Sequence, residues 1–374
     1  MTTLFRFALG FTLATCAVAG PFAPAAGQPG SDAIAVADPR FTTWATSVSS
    51  IRGPVDIAYP EDEVYVNFGV EANATGPADA TAAAPYPVIS LGDGGSADLK
   101  FAVPFGDIPG PDFAVFENGF VSFNTTFLEL AHVEVSSDGI HFYRFPSTSL
   151  TPLSTTPGEG TNVNATNVRN LAGKYVAGFG TPFDLAELRA LYPALDTQRI
   201  IQVRVIDVIG TNDPTLASRD ATGNIIADPY PTAYPTGGFD LDATGAFQPT
   251  TTTYSAWAAS QGLTNTAATA DPDHNGVPNL IEYLTTNGAV ELTGNTLHFS
   301  RLSYRTGGNL KLQASTDLLQ WTTLAESANG AAMQSADGNA ATVSESGGFR
   351  KDVSVQLLTG ATRRYFRLAA SPVP

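Results

Sequence analysis

A chain of 374 residues with 35 Gly, 26 Pro and only 14% charged residues is too long for one small domain and too poor in charge for a helical bundle. Its formal net charge of −16 excludes the basic footprint by which a protein holds nucleic acid or an anionic membrane surface. With one cysteine it forms no internal disulfide, so folding rests on apolar cores or bound ions.

In chain order, Arg6 precedes the apolar run 7–14, and small-residue cleavage sites follow at Ala17-Val18-Ala19 and Ala23-Pro24-Ala25. This pattern predicts a signal peptide over 1–25 and a product that is secreted or held at the cell surface. The run is too short for a permanent anchor, and no later stretch approaches the roughly 20 apolar residues of a spanning helix, so no transmembrane segment is expected after signal removal. Cys16 lies inside the leader. Thr15 before it is larger than the small residue a lipoprotein signal uses, which argues against lipid attachment there.

Residues 38–246 form a first region of short alternating runs, at 65–68, 97–103, 112–116, 132–135, 141–145 and 200–206, punctuated by Gly, Pro and Asp. Such runs suit half-buried strands and predict an all-β fold, an antiparallel β-sandwich of jelly-roll type. Ser136-Ser137-Asp138-Gly139 between two runs is a hairpin turn signal. Only 182–191 breaks the alternation, and it predicts a short surface helix.

A Thr/Pro-rich linker over 247–253 leads to a segment, 254–286, whose spacing specifies a chemistry. Asp271, Asp273 and Asn275 stand at positions 1, 3 and 5 of a twelve-residue calcium loop. Gly276 takes the sharp turn, the Val277 carbonyl position 7, Asn279 position 9 and Glu282 the bidentate position 12. A short helix over 254–262 and another starting at Asn279 would flank it. Pro278 at position 8 lacks the N–H that paired hands share, so a solitary hand is expected. An Asp/Asn-rich turn held by side-chain to backbone bonds is the simpler alternative, but it needs no acid at position 12. Residues 290–374 read as a small fibronectin-like sandwich, whose stretch 312–321 repeats the order of 133–142: strand, Ser-x-Asp turn, aromatic.

The stretches 88–101, 110–118, 133–139, 180–185 and 238–243 together resemble a bacterial exported and cell-surface protein family with a discoidin-like, galactose-binding-like β-sandwich. The region from the Trp257 helix to the end resembles the C-terminal parts of exported proteins from Verrucomicrobia-like bacteria. The resemblance implies fold more than activity, because this fold hosts carbohydrate binders, adhesins and structural modules alike. It also implies a second structural calcium near the last strand. There alternation sets Asp240 and Asp242 on one face opposite Phe239 and Leu241, and two like charges so placed need a cation, a donor or solvent.

The first region's acids, Asp93, Asp107, Asp112, Glu117, Glu129, Glu134, Asp138, Asp240 and Asp242, are numerous enough for the carboxylate pair of a glycosidase, but number alone assigns nothing. Asp112 and Glu117 stand at strand ends, where solvated or turn-capping roles are usual. The four histidines have no zinc spacing, and no nucleophile motif accompanies them. His132 and His141 flank one hairpin, and polar roles on the sheet face are the simpler expectation for them than a pair. Tyr230 and Tyr234, in a Pro/Gly-rich loop, are candidates for stacking on sugar faces, although loop tyrosines more often pack down on their own sandwich. The expected function is a non-catalytic exported binding or adhesion protein with calcium-stabilised modules and a glycan or surface polymer as partner. A carbohydrate-active hydrolase or a structural envelope protein stands as the alternative.

Overall fold

The computed structural model describes residues 20–81, 83–122, 125–154, 158, 160–247, 252–286, 288–336, 340–347, 349–358 and 365–373. The leader expected over 1–25 lies outside them as far as residue 19, and so does most of the linker. The chain is mostly β, with 38% strand and 8% helix, and its extended sheets are antiparallel. The short pair Thr252–Thr253 with Arg305–Thr306 is parallel.

In the first region the strands are β1 (Phe41–Trp44), β2 (Ser47–Ile51), β3 (Ser96–Phe105), β4 (Phe113–Glu117), β5 (Phe120–Ser122), β6 (Thr125–Phe127), β7 (Ala131–Ser136), β8 (Phe179–Phe183), β9 (Ile200–Asp207) and β10 (Asp240–Phe247). One sheet runs Ile34–Ala35, β8, β4, β10, β1, with Ile89–Ser90 also on β10; the other runs Tyr143–Arg144, β7, β9, β3, β2. Alternation does what it promises on β3 and β7, where Ala97, Leu99 and Phe101 and then Ala131, Val133 and Val135 turn inward. They meet Phe113 and Val115 of β4, Phe183 of β8 and Leu241 of β10 in one apolar cluster. Phe113 stacks on Phe183 at 5.2 Å, and each ring so buried contributes roughly 1.5–3 kcal/mol.

Strands β4 and β10 depart from half-burial, since every residue of both is buried. Each is central in its sheet, and a second apolar cluster covers their other face: Ile34, Ala114, Phe116, Ala243 and Phe247, with Phe41 and Trp44 packed on them. Asp112 and Glu117 are therefore not solvated, at 0% and 1% exposed. A register shift against β4 between Leu241 and Ala243 sends Leu241 to the inner cluster and Ala243 to the outer one. The helix expected over 182–191 shrinks to α1 (Ala186–Arg189), because Pro182 and Phe183 are held in β8 opposite Ala114 and Phe113.

The later part contains α2 (Tyr254–Ser260), capped by the Thr253 hydroxyl, α3 (Asn279–Leu284), β11 (Thr296–Leu302), β12 (Gly308–Ser315), β13 (Thr322–Ala328), β14 (Ala340–Ser346), β15 (Arg350–Leu357) and β16 (Tyr365–Pro372). Its sheets run Glu291–Thr293, β11, β15, β14 and Gln334–Ser335, β13, β12, β16. Leu280, Ile281, Tyr283 and Leu284 of α3 join Leu297, Phe299, Leu312, Leu324, Val353 and Leu368 in a single core. Helix α3 of the 254–286 segment is thus built into the core of the terminal strands rather than standing beside them. An ion pair between Arg350 and Asp196 links the two regions.

The likeness between 133–142 and 312–321 is local hairpin chemistry. Ser136 Oγ accepts from Gly139 N (2.9 Å), and Asp138 Oδ1 from Ile140 N and His141 N (both 2.8 Å). Ser315 Oγ accepts from Leu318 N (2.8 Å), and Asp317 Oδ1 from Leu319 N (2.8 Å) and Gln320 N (2.9 Å). The turn demands a left-handed residue, which is Gly139 at φ 77° in the first and Leu318 at φ 65° in the second. A leucine there is strained and, at 54% exposed, gains little packing in return. Leu318→Gly is expected to stabilise the terminal region by about 1 kcal/mol in a denaturant titration. Unchanged or lower stability would mean that the turn carries no such strain.

Candidate functional site

Among the described residues, the 271–282 loop and a cavity of the first region bring chemistry-bearing residues together. In the 271–282 loop, Asp271 Oδ1 accepts from Asn275 N (3.1 Å) and its Oδ2 from Gly276 N (2.9 Å), which curls the backbone around the acid. Gly276, at φ 88°, makes the sharp turn that position 6 requires. The Asn275 amide donates to Asp273 Oδ2 (3.0 Å) and to Glu282 Oε1 (2.7 Å), so positions 3, 5 and 12 share one network although Glu282 belongs to α3. The donors are all oxygen-bearing, as a hard cation such as calcium prefers, and the amide hydrogens draw two carboxylates together as a cation would. Asn279 goes elsewhere: it is fully buried and donates to the carbonyls of Asn265 (2.9 Å) and Ala267 (3.1 Å). Through its amide nitrogen that side chain fastens the start of α3 to the preceding loop, while its Oδ1 is buried without a hydrogen-bond partner among the described residues.

The second place is a cavity of about 540 Å³ at the end of the first region. Its lining comes from separate segments: Phe68; Pro85 and Tyr86; Asn118 and the β5–β6 hairpin; Glu129; and Thr232, Tyr234, Thr236 and Asp240. Phe120 and Phe127 stack across that hairpin at 5.2 Å. Tyr86, Tyr234 and Phe120 stay 71%, 51% and 41% exposed, a concentration of aromatic surface that a soluble domain usually buries. Asn118 ties the walls to the floor by donating from Nδ2 to Pro85 O (2.9 Å) and Asp240 Oδ2 (3.0 Å). Its volume lies within the range of small-molecule sites, about 300–1,000 Å³.

Around the floor lies an unusual density of buried acids. Burial raises Asp240 to about 6, against hydrogen bonds from Ser90 and Asn118 and the charge of Arg52. Burial likewise raises Asp93 to about 6 and Asp242 to about 7. Glu117, Glu129, Asp207 and Asp228 are pushed well above the carboxylate range, first by burial and then by one another's charge or that of Asp240. Some have backbone donors: Asp207 takes Phe239 N (2.6 Å) and Gly94 N (2.9 Å), and Asp228 takes Leu130 N (2.8 Å).

Asp240 and Asp242 do not share partners. Asp240 is held by Ser90 Oγ and Asn118, whereas Asp242 accepts from Asp79 N (3.1 Å) and Ala80 N (3.3 Å). The candidate tyrosines also part company. Tyr234 lines the cavity, but Tyr230 is buried (7% exposed) with its hydroxyl donating to Asp56 Oδ1 (2.7 Å). A ring held down in this way offers no face to a sugar, which corrects the expectation for Tyr230. His132 and His141 do not meet either. His132 is buried on β7, in register with Ile206, and burial lowers it to about 4; His141 is exposed and bonds Asp138 at 2.7 Å. No spacing in the sequence gathers Tyr86, Asn118, Phe120 and Glu129, and the aromatic-rich stretch 116–127 marks only Asn118 and Phe120.

Among the described residues, one group of three acids brings ligand atoms within 4.8 Å of one another: Asp107, Asp112 and Asp184. It has its own structural explanation. Asp112 accepts from Ile108 N and Leu185 N (both 2.6 Å), Asp184 from Ala186 N (2.9 Å), and Arg189 pairs with Asp107. These contacts pin the loop before β4 to the loop before α1.

None of the family models, curated proteins or solved structures compared with this chain matches it. No helix among the described residues is long and apolar enough to cross a membrane.

Proposed function

We propose that the chain is an exported, non-catalytic binding protein of the cell surface, in which a galactose-binding-like β-sandwich presents the aromatic cavity to a glycan and a calcium loop stabilises a smaller terminal sandwich. The observation that carries this reading is the set of exposed rings, Tyr86, Phe120 and Tyr234, gathered around Asn118 and the acids of one cavity. Sugar recognition needs this combination: flat apolar faces to stack on, and a few fixed polar groups to set orientation. A net charge of −16 fits a partner other than nucleic acid or anionic lipid. Gly20 N and Phe22 N bond to Thr166, so leader removal after Ala19 would keep contacts that removal after Ala25 would lose.

The test is a saccharide array followed by titration. Tyr86→Ala and Tyr234→Ala are each expected to weaken the captured saccharide about three- to tenfold, the worth of one stacking contact, with the melting temperature nearly unchanged. Binding that ignores both substitutions would remove the cavity from consideration. A second reading, hydrolysis, has one observation in its favour, since Glu129 and Asp240 line the same cavity and burial raises the pKa of both. Turnover of a bound oligosaccharide that Glu129→Gln abolishes would replace the binding reading with this one.

A further inference from the structure

The floor of the cavity bears on what kind of saccharide it takes. Glu129 is 3% exposed, lines the cavity and, among the described residues, has no hydrogen-bond or ion-pair partner for its carboxylate. Glu117, whose charge bears on Glu129, is 1% exposed, accepts from Gly119 N with Oε2 (2.7 Å) and among the described residues leaves Oε1 without a partner. Asp240 completes the group at the floor. The cation that bears on Asp240, Arg52, spends its hydrogen bonds on the carbonyls of Phe68 (2.8 Å), Gly69 (2.9 Å) and Ser90 and, among the described residues, forms no ion pair with the floor. A buried ionised carboxylate with neither donor nor counter-charge is costly, so burial favours the protonated form of Glu129, and among the described residues no side-chain donor or cation meets it. A neutral sugar would supply weak donors only. An ammonium supplies three strong ones and a charge, and the aromatic rings above favour a cation as well.

We propose that the cavity binds a saccharide carrying a free primary amine, a 2-amino-2-deoxy sugar unit, with the ammonium at Glu129 and Asp240 and the ring faces against Tyr86 and Tyr234. This rests on the saccharide reading above and adds the charge of the ligand to it. These carboxyl groups, which burial makes weaker acids, would be held ionised by such a ligand, so that recognition becomes selective for the deacetylated sugar.

The experiment titrates four probes against the full chain carrying Glu282→Gln, which removes the loop's acid at position 12, at about pH 6.5 and moderate salt. The probes are a glucosamine tetramer, an N-acetylglucosamine tetramer, cellotetraose and butylamine. A charge-assisted bond is worth about 1.5–3 kcal/mol, so the amine tetramer is expected to bind at least about tenfold tighter than the acetylated one. Glu129→Gln, which breaks no bond within the fold, should cut that preference to about twofold. Tyr86→Ala should weaken the tetramers alike, which separates loss of the wall from loss of charge. Equal binding of amine and acetylated tetramers would overturn the proposal while leaving the saccharide reading intact. So would a preference that survives Glu129→Gln, since the overall negative charge would then explain it. Absence of binding by all three tetramers would sink both readings. Butylamine binding as tightly as the tetramer would show that the sugar body has no part. Displacement of the tetramer by millimolar calcium would assign the acids to a metal instead.

Discussion

Removal of calcium is expected to lower the melting temperature of the terminal β region by roughly 5–20 °C, and Glu282→Gln is expected to reproduce the loss with calcium present. The reason is the position of α3. Glu282 stands in a helix whose Leu280, Ile281, Tyr283 and Leu284 belong to the core of the terminal strands, and the Tyr283 hydroxyl donates to Thr306 O (2.8 Å). A loop that draws Glu282 toward Asp271 and Asp273 therefore also seats four core side chains. Extracellular hands bind at about 10⁻⁴ to 10⁻³ M, so 10 mM calcium stabilises by about 1.4–2.7 kcal/mol, and each kcal/mol moves a domain of this size by about 4–8 °C. Differential scanning calorimetry with and without chelator resolves the effect, and the transition of the first region should not move. If Glu282→Gln kept the full calcium shift, residues 271–282 would not be the site.

The second large effect concerns pH. Asp93, Asp240 and Asp242 bind their protons more tightly folded than unfolded, to about 6, 6 and 7, and Glu117, Glu129, Asp207 and Asp228 are shifted the same way. Between about pH 4 and pH 7 the folded chain then holds more protons than the unfolded one, and its stability falls as pH rises through that window. His132 works in the opposite sense: burial lowers it to about 4, so its contribution is present above its ordinary value and is lost as pH falls toward 4. Asp107, Asp112 and Asp184 are raised by burial as well, so against one imidazole the carboxyls dominate. The first region is expected to melt several degrees higher at about pH 5.5 than at about pH 7.5. Glu129→Gln should raise the melting temperature at the higher pH and flatten the slope, because it removes an ionisation and breaks no hydrogen bond. A first region that instead gained stability from pH 5.5 to 7.5 in the chelated protein would show that these carboxyls are ionised and compensated in the fold.

The 271–282 loop was legible in the sequence because its determinants are local. Oxygen-bearing residues at positions 1, 3, 5 and 12 and a glycine at 6 act within one turn of chain, and the structure draws Asp273, Asn275 and Glu282 together accordingly. The hairpins at 136–139 and 315–318 were legible for the same reason, as was the inward alternation of β3 and β7. The burial of Asp112, Glu117 and Glu129 was not. Whether an acid at a strand end meets water depends on which strands flank it and what covers the sheet, and Phe41, Trp44 and Phe247 reach β4 only through pairings distant in the chain. The same holds for the two tyrosines of one short loop: Asp56, far away in sequence, holds Tyr230 down, while Tyr234 is left at the rim. Sequence by itself thus determined the β class and the hairpin turns, since short-range spacing and alternation carry them. Only the tertiary structure decided where the buried negative charge collects and which rings face it, because long-range packing sets the desolvation of a carboxyl and the exposure of an aromatic ring.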